Sequence, residues 1–265
     1  MAPREVCILD VANSAQLEAM TMRPTYGTAF ADVYDEWYAD ADDLPSVIAL
    51  LAAHAPRRVL ELGVGTGRIA IPLARHLAAQ HDDARVTGVD ESPEMLARLG
   101  TNDTAGLVRA VLGDMAHVIP EEQFDLVYVS YNTFFNSAER ERQARCLANV
   151  AAHMAPGGRF VMDCCVIDES APASGTTETR RGEWSLRTTS MFDAATGVVD
   201  GETTSTHDDG RTVRRPFRIA YASPHLLDEM CASAGLALMQ RFGAWQKTAF
   251  QPDSARHVSV YRNLR

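Results

Sequence analysis

Val59-Leu60-Glu61-Leu62-Gly63-Val64-Gly65-Thr66-Gly67-Arg68 reads as an apolar strand that runs into three alternate glycines and then a helix. A strand ending in E-x-G-x-G-x-G needs bare backbone at its turn. Glycine takes φ > 0 freely and lets a ligand lie against the peptide units with no Cβ in the way. A dinucleotide-binding dehydrogenase would carry G-x-G-x-x-G, with its third glycine three positions after the second. Here Arg68 holds that place and glycine falls at 67, which argues against a nicotinamide oxidoreductase.

Outward from this turn, apolar spacing alternates between strand and helix lengths. It predicts strands at 57–62, 85–89, 106–112, 124–130 and 158–164, with helices near 67–79, 92–99 and 138–154. Alternating β and α elements imply a parallel sheet with helices on both faces, whose ligands sit beyond the carboxyl ends of the strands. Residues 1–23 read as a flexible leader. Residues 26–38 read as a short aromatic helix, and Asp43-Leu44-Pro45 opens another. After Cys165 the pattern changes: 166–181 are polar and loop-like, and β-rich runs follow near 182–192, 198–207 and 211–221. Asp193–Gly197 and Asp208–Gly210 supply the turns. Ser223-Pro224 starts a helix that Gly235 ends, and strands near 236–243 and 255–262 finish the sheet. The expected fold is therefore α/β: a Rossmann-like, seven-stranded, mostly parallel sheet with an antiparallel meander inserted after strand five. Its parts are a cofactor-binding core with an N-terminal lid helix (24–165), a substrate-covering insertion (166–222) and a C-terminal completion (223–265).

Two acids repeat the strand-tip theme. Asp90, in Val86-Thr-Gly-Val-Asp90-Glu91-Ser92-Pro93-Glu94-Met95, lies 23 residues past Gly67, a spacing that brings a carboxylate to ribose hydroxyls. Its alternative is a capping role, although Ser92 already supplies a cap for the helix that Pro93 starts. Asp114 ends the third strand in Val111-Leu112-Gly113-Asp114-Met115. Ser130-Tyr131-Asn132 follows the fourth strand, and Pro156-Gly157-Gly158 turns into the fifth.

Taken in this order, the five features over residues 59–162 resemble the class I S-adenosylmethionine-dependent methyltransferases, of the small-molecule type found among bacterial natural-product and aminosugar N-methyltransferases. The resemblance implies S-adenosylmethionine as cofactor and S-adenosylhomocysteine as product. It implies that Gly63, Gly65 and Gly67 hold the methionine part, Asp90 the ribose, and Asp114 with Met115 the adenine. Glu61, Arg68, Glu91, Met95 and Ser130 complete that set. Tyr26, Tyr34 and Tyr38 resemble the aromatic lid that closes over the cofactor, where ring faces suit a sulfonium cation; the plainer reading of the stripe is core packing. Tyr131, Asn132 and Trp184 are the candidate acceptor contacts. A neutral amine needs little base catalysis, whereas a hydroxyl or acidic carbon needs a positioned base. Tyr131 and His257 are the candidate bases, His257 having a structural imidazole as its alternative. The implied function is methyl transfer to a small-molecule acceptor, with nitrogen preferred over oxygen or carbon. The alternative is a non-catalytic adenosylmethionine-binding or partner-binding protein with the same fold.

Composition narrows the partners. A net charge of −10 argues against nucleic acid. No apolar run approaches a membrane span and no secretory signal is apparent, so the expectation is a cytoplasmic protein, and a homodimer is compatible with it. Cys7, Cys146, Cys164, Cys165 and Cys231 form no metal-ligand spacing and read as small buried hydrophobes. No metal is expected. Of 25 basic residues only Lys247 is lysine, a bias that reflects codon usage. Arg211, Arg214, Arg215 and Arg218 read as a solvated strand face among acids.

Overall fold

Strand β1 (Arg58–Leu62) turns Leu60 and Leu62 to one side of the sheet and Val59 and Glu61 to the other. Strands β4 (Phe124–Val129) and β5 (Met154–Cys165) do the same. Val127, Val129, Phe160 and Met162 pack on the first side, and Leu126, Tyr128 and Val161 on the second. Strands apolar on both faces must be covered on both. The computed structural model, which describes residues 25–38, 43–168 and 173–264, supplies those covers. The expected leader at 1–23 lies outside the described residues.

Helices α3 (Leu44–Leu51), α4 (Ala70–Ala78) and α5 (Pro93–Asn102) cover the second side. Helices α6 (Arg140–His153) and α7 (Pro224–Ser233) cover the first. The caps fall where the sequence puts them: Ser92 Oγ accepts the Met95 N–H and Ser223 Oγ the Leu226 N–H. With β2 (Arg85–Asp90), β3 (Val108–Leu112), β10 (Leu236–Phe242) and β11 (Arg256–Asn263), the sheet has seven strands in the order β10-β11-β5-β4-β1-β2-β3. Strands β1–β5 pair in parallel, and β11 runs antiparallel to β5 and to β10. The order reverses at β1, between β2 and β4, and a crevice opens there at the carboxyl ends. Among the described residues no helix is long and apolar enough to cross a membrane. Cys146, Cys164 and Cys231 are buried and Cys165 partly so.

Three expectations need correction. The aromatic segment is two short helices, α1 (Tyr26–Phe30) and α2 (Tyr34–Trp37), joined by a turn at residues 31–33. The break lets Asp32 reach away from the aromatic face to Arg215. The stretch expected to be loop-like at 166–181 contains strand β6 (Ser174–Arg181), so the insertion is a four-stranded antiparallel sheet. It runs β6, β7 (Trp184–Asp193), β8 (Val198–His207), β9 (Thr212–Ala220). Every β6 side chain is exposed, which removes the apolar alternation that marks a strand in sequence.

Arg215 is also not on a solvated face. Arg211, Arg214 and Arg218 pair with Asp209, Glu202 and Asp200 in solvent, whereas Arg215 is 2% exposed and donates to Asp32 Oδ2 at 2.6 Å. Strand alternation separates 214 from 215. Its guanidinium lies 5.9 Å and 5.6 Å from the Phe30 and Trp37 ring centres, so it clamps the lid onto the insertion. Replacing it, Arg215→Ala, should lower unfolding stability by about 1–3 kcal/mol, the range for a charged hydrogen-bond partner. The same variant should make α1–α2 the first segment cut in limited proteolysis. Denaturant melts and a digestion time course check both outcomes, and an unchanged digestion pattern would mean that the lid does not depend on Arg215.

Candidate active site

At the tip of β1 the N–H groups of Gly63 and Val64 both donate to Val89 O, which turns the chain back over β2. Gly63 has φ 70°, and a Cβ there would sit 2.1 Å from Thr133 Cγ2. Gly65 (φ 55°) differs: the nearest atom to an added Cβ is Met95 Sδ at 3.9 Å, so its peptide faces open space. Asp90 fixes the loop, with Oδ2 accepting the Gly65 N–H at 2.8 Å and Oδ1 the Ser92 N–H at 2.9 Å. Each oxygen keeps a lone pair for a further donor. Burial raises the Asp90 carboxyl, against these two N–H bonds.

Above the loop lies a cavity of about 550 Å³, walled by the lid, the strand tips and the insertion. Tyr26, Tyr34, Tyr38, Gly63, Gly65, Asp90, Glu91, Met95, Asp114, Met115, Tyr131 and Asn132 all line it. The lid rings support one another: Tyr26 stacks on Phe30 at 4.3 Å and Tyr34 leans on Tyr38 at 4.7 Å. At the far end Arg142 of α6 bridges Asp114 (2.9 Å) and Glu91 (3.5 Å). Burial pushes Asp114 up, but the Ala116 N–H, Arg142 and His117 more than reverse it and hold the carboxyl below its usual range. Burial raises Glu91, against Arg142.

Tyr131 (φ 53°) and Asn132 (φ 65°) are consecutive non-glycine residues in the left-handed region, a conformation that persists only where the surroundings enforce it. The enforcement comes from β5. Buried Asp163 accepts the Tyr131 N–H at 3.0 Å with its carboxylate and the Asn132 N–H with its carbonyl, and Asn132 Oδ1 accepts the Cys165 N–H. Arg256 and the Trp245 indole donate to the same carboxylate. The Tyr131 ring lies under Arg68, whose guanidinium carbon is 4.0 Å from its centre, and its hydroxyl donates to Asp43 Oδ1. Burial and that bond to Asp43 push the phenol up to about 12, so Tyr131 holds its proton near neutral pH.

The remaining expected residues fall outside the cavity lining. Glu61 sits beneath the loop, 3% exposed, accepting from Tyr128 Oη at 2.7 Å. Gly67 faces Ile71, Ser130 is buried, and Arg68 braces Tyr131 and Tyr38 from behind. Trp184 stands one layer behind the site, against Trp37, with its indole N–H on Glu36. His257 lies away from the cavity lining: alternation along β11 sends Arg256 to Asp163 and the Tyr131 ring and His257 into the opposite packing, where Nδ1 meets Ser259 Oγ at 2.8 Å. Burial lowers its imidazole to about 4. Sequence reading missed Asp43, Arg142, Asp163, Arg181, Phe217 and Arg256, which reach the site from distant segments and carry no local motif.

Residues 59–158 match the family described as "Methyltransferase domain". A cypemycin N-terminal methyltransferase from a Streptomyces species is 36% identical over 154 residues, which is 54% of this chain and 60% of that relative's length. The CcbJ methyltransferase of Streptomyces caelestis superposes with a TM-score of 0.81 at 32% identity, covering 91% of this chain and 98% of its own. The chain belongs to the S-adenosylmethionine-dependent methyltransferases. CalS10, an amino pentose methyltransferase from Micromonospora echinaspora whose structure holds S-adenosylmethionine, shares the fold at TM-score 0.62 and 19% identity, over 96% of this chain and 99% of its own. The open backbone at Gly65, the two spare lone pairs of Asp90 and the ring-walled cavity fit that family's cofactor.

The two glycines give a paired prediction. Gly65→Ala should fold with a loss of about 1 kcal/mol from left-handed strain, yet bind S-adenosylhomocysteine at least tenfold more weakly, because the new methyl enters the crevice. Gly63→Ala should unfold far more readily, since its methyl collides with Thr133. Melting curves and calorimetry separate the two; equal affinity in Gly65→Ala would mean that no ligand approaches that peptide.

Glu61 gives a pH prediction. Burial raises its carboxyl from 4.5 to about 8, against the Tyr128 hydroxyl and Arg68. The folded chain therefore holds this proton more tightly than the unfolded chain. The resulting stabilisation is complete below pH 4.5 and drains away as pH rises towards 8. Glu61→Gln removes that loss, so the melting temperature of the variant relative to the parent should climb between pH 5 and pH 8. Parallel curves would show that Glu61 titrates normally.

Proposed function

We propose that this chain transfers a methyl group from S-adenosylmethionine to a nitrogen of a small natural-product acceptor. When bound, the cofactor supplies an activated methyl on a sulfonium that is already an excellent leaving group. The protein's work is then alignment, holding nucleophile and methyl in line at roughly 3–3.5 Å. Gly63 and Gly65 would receive the methionine part, Asp90 the ribose hydroxyls, and Asp114 and Met115 the base, with Arg142 holding Asp114 and Glu91 in place. Tyr26, Tyr34 and Tyr38 would face the cation with their rings.

The acceptor would enter between the lid and the insertion. That wall mixes hydroxyls (Thr179, Thr188, Thr203) with apolar surface (Leu186, Phe217, Ile219), which suits a ligand with both hydroxyl and hydrocarbon faces. The observation that carries the preference for nitrogen is the state of the two expected bases. Tyr131 is committed to Asp43 and His257 is buried elsewhere. A neutral amine needs neither, because its lone pair attacks directly and the proton leaves afterwards to water. The cypemycin relative, named for an N-terminal substrate, supports the same choice.

The test is formation of S-adenosylhomocysteine from S-adenosylmethionine with a panel of amino sugars and peptide N-termini, against oxygen-only analogues. Turnover with an amine and none with its hydroxyl analogue is the expected result; turnover with the hydroxyl analogue alone overturns the nitrogen assignment. Asp90→Ala should weaken S-adenosylhomocysteine binding by roughly 1.5–3 kcal/mol in calorimetry, the cost of losing charged hydrogen bonds. Unchanged affinity in the folded variant removes Asp90 from the site.

A further inference from the structure

Among the described residues four non-glycine residues have φ in the left-handed region. Tyr131 and Asn132 belong to the candidate active site; the other two, Ala55 (φ 47°) and Lys247 (φ 60°), line a second cavity of about 380 Å³. It lies at the opposite ends of the parallel strands, where β1, β4 and β5 begin, and shares no lining residue with the first. Ala55 closes the turn after α3, a usual place for that conformation. Lys247 is harder to account for. Its N–H donates to Ala244 O in a turn between β10 and β11, at a position that glycine or asparagine fills without strain. A lysine held there is an outlier from which a role can be inferred.

The cavity's chemistry supplies the role. Its floor is apolar and buried: Leu51, Leu126, Val161 and Val260. Its rim carries His54, Arg57, Arg159 and Lys247 against one carboxylate, Asp125, in a chain whose net charge is −10. Asp125 is engaged by the backbone N–H groups of Arg57 and Arg58, both at 2.9 Å, and Arg57 is engaged by Asp83 at 2.7 Å. The Arg159 side chain makes one bond among the described residues, to Gly157 O. Among the described residues the side chains of His54 and Lys247 make no hydrogen bond or ion pair. A chain that uses arginine for every other full positive charge thus places its single lysine, without a counter-charge, over an apolar floor.

We propose that this cavity binds a small amphipathic anion, with an acidic group at the Lys247, His54 and Arg159 rim and an apolar body on the floor. The site is separate from methyl transfer and does not depend on it.

The test uses 8-anilinonaphthalene-1-sulfonate, an aryl sulfonate whose fluorescence rises in apolar surroundings, with the full chain and saturating S-adenosylhomocysteine to keep the probe out of the first cavity. Saturable binding is expected. Lys247→Gly should weaken it roughly tenfold, the equivalent of one charge-assisted bond. The same variant should melt at the same temperature or higher, because glycine relieves the turn. Arg159→Gln, which leaves the turn unaltered, should weaken binding likewise, and neutral N-phenyl-1-naphthylamine should be indifferent to both substitutions. Absence of saturable binding, or an affinity unchanged in both folded variants, would overturn the proposal.

Discussion

The carboxylate of Asp90 joins the glycine loop after β1 to the start of α5, and the lid packs on that junction. One oxygen holds the Gly65 N–H, and so the glycine loop after β1; the other holds the Ser92 N–H, and so the start of α5. A loop of alternate glycines has many conformations to lose on folding, and a charged acceptor on its central N–H selects one. The lid rests on the same support. Gly27 of α1 packs so tightly on Ser92 that a Cβ would lie 2.6 Å from that side chain, and the Thr28 hydroxyl donates to Glu94 at 3.2 Å. Loop and helix start are therefore joined by one half-buried acid, and the lid rests on the helix start that it holds.

A second acid does the corresponding work on the acceptor side. Asp163 gathers Arg256, the Trp245 indole and the Tyr131 N–H, and so holds two left-handed residues at the tip of β4. Tyr131 is braced above by Arg68 and tied at its hydroxyl to Asp43. The outcome is a rigid, protonated phenol beside the cavity, suited to shaping and orienting an acceptor. On the opposite wall Arg215 fastens the lid to the insertion, so the cavity is framed by charge pairs whose members lie far apart in sequence.

What could be read from the sequence follows from how local each cause is. Strands β1–β5, their helices, the caps at Ser92 and Ser223 and the strand-tip acids were legible because apolar period, cap chemistry and glycine spacing act over a few residues. Strand β6 was not, because an edge strand exposed along its whole length has no buried face to leave a pattern. At the break between α1 and α2 Asp32 meets Arg215, 183 residues away, a contact that no local signal encodes. His257 and Arg256 show the limit most sharply. Neighbours on one strand face opposite ways, and which of the two meets Asp163 and Tyr131 is set by the register of β11 on β5. The residues that complete the site, among them Asp43, Arg142 and Arg181, come from the N-cap of α3, from α6 and from β6, and become visible only when those elements are assembled.

The most direct test of this account is a crystal structure after soaking with S-adenosylhomocysteine. Nucleoside density is expected above Gly65, with both ribose hydroxyls on Asp90, the base against Met115, and the Asp90 bond to the Gly65 N–H intact. Density at another place, or a ligand in the crevice whose ribose avoids Asp90, would contradict it.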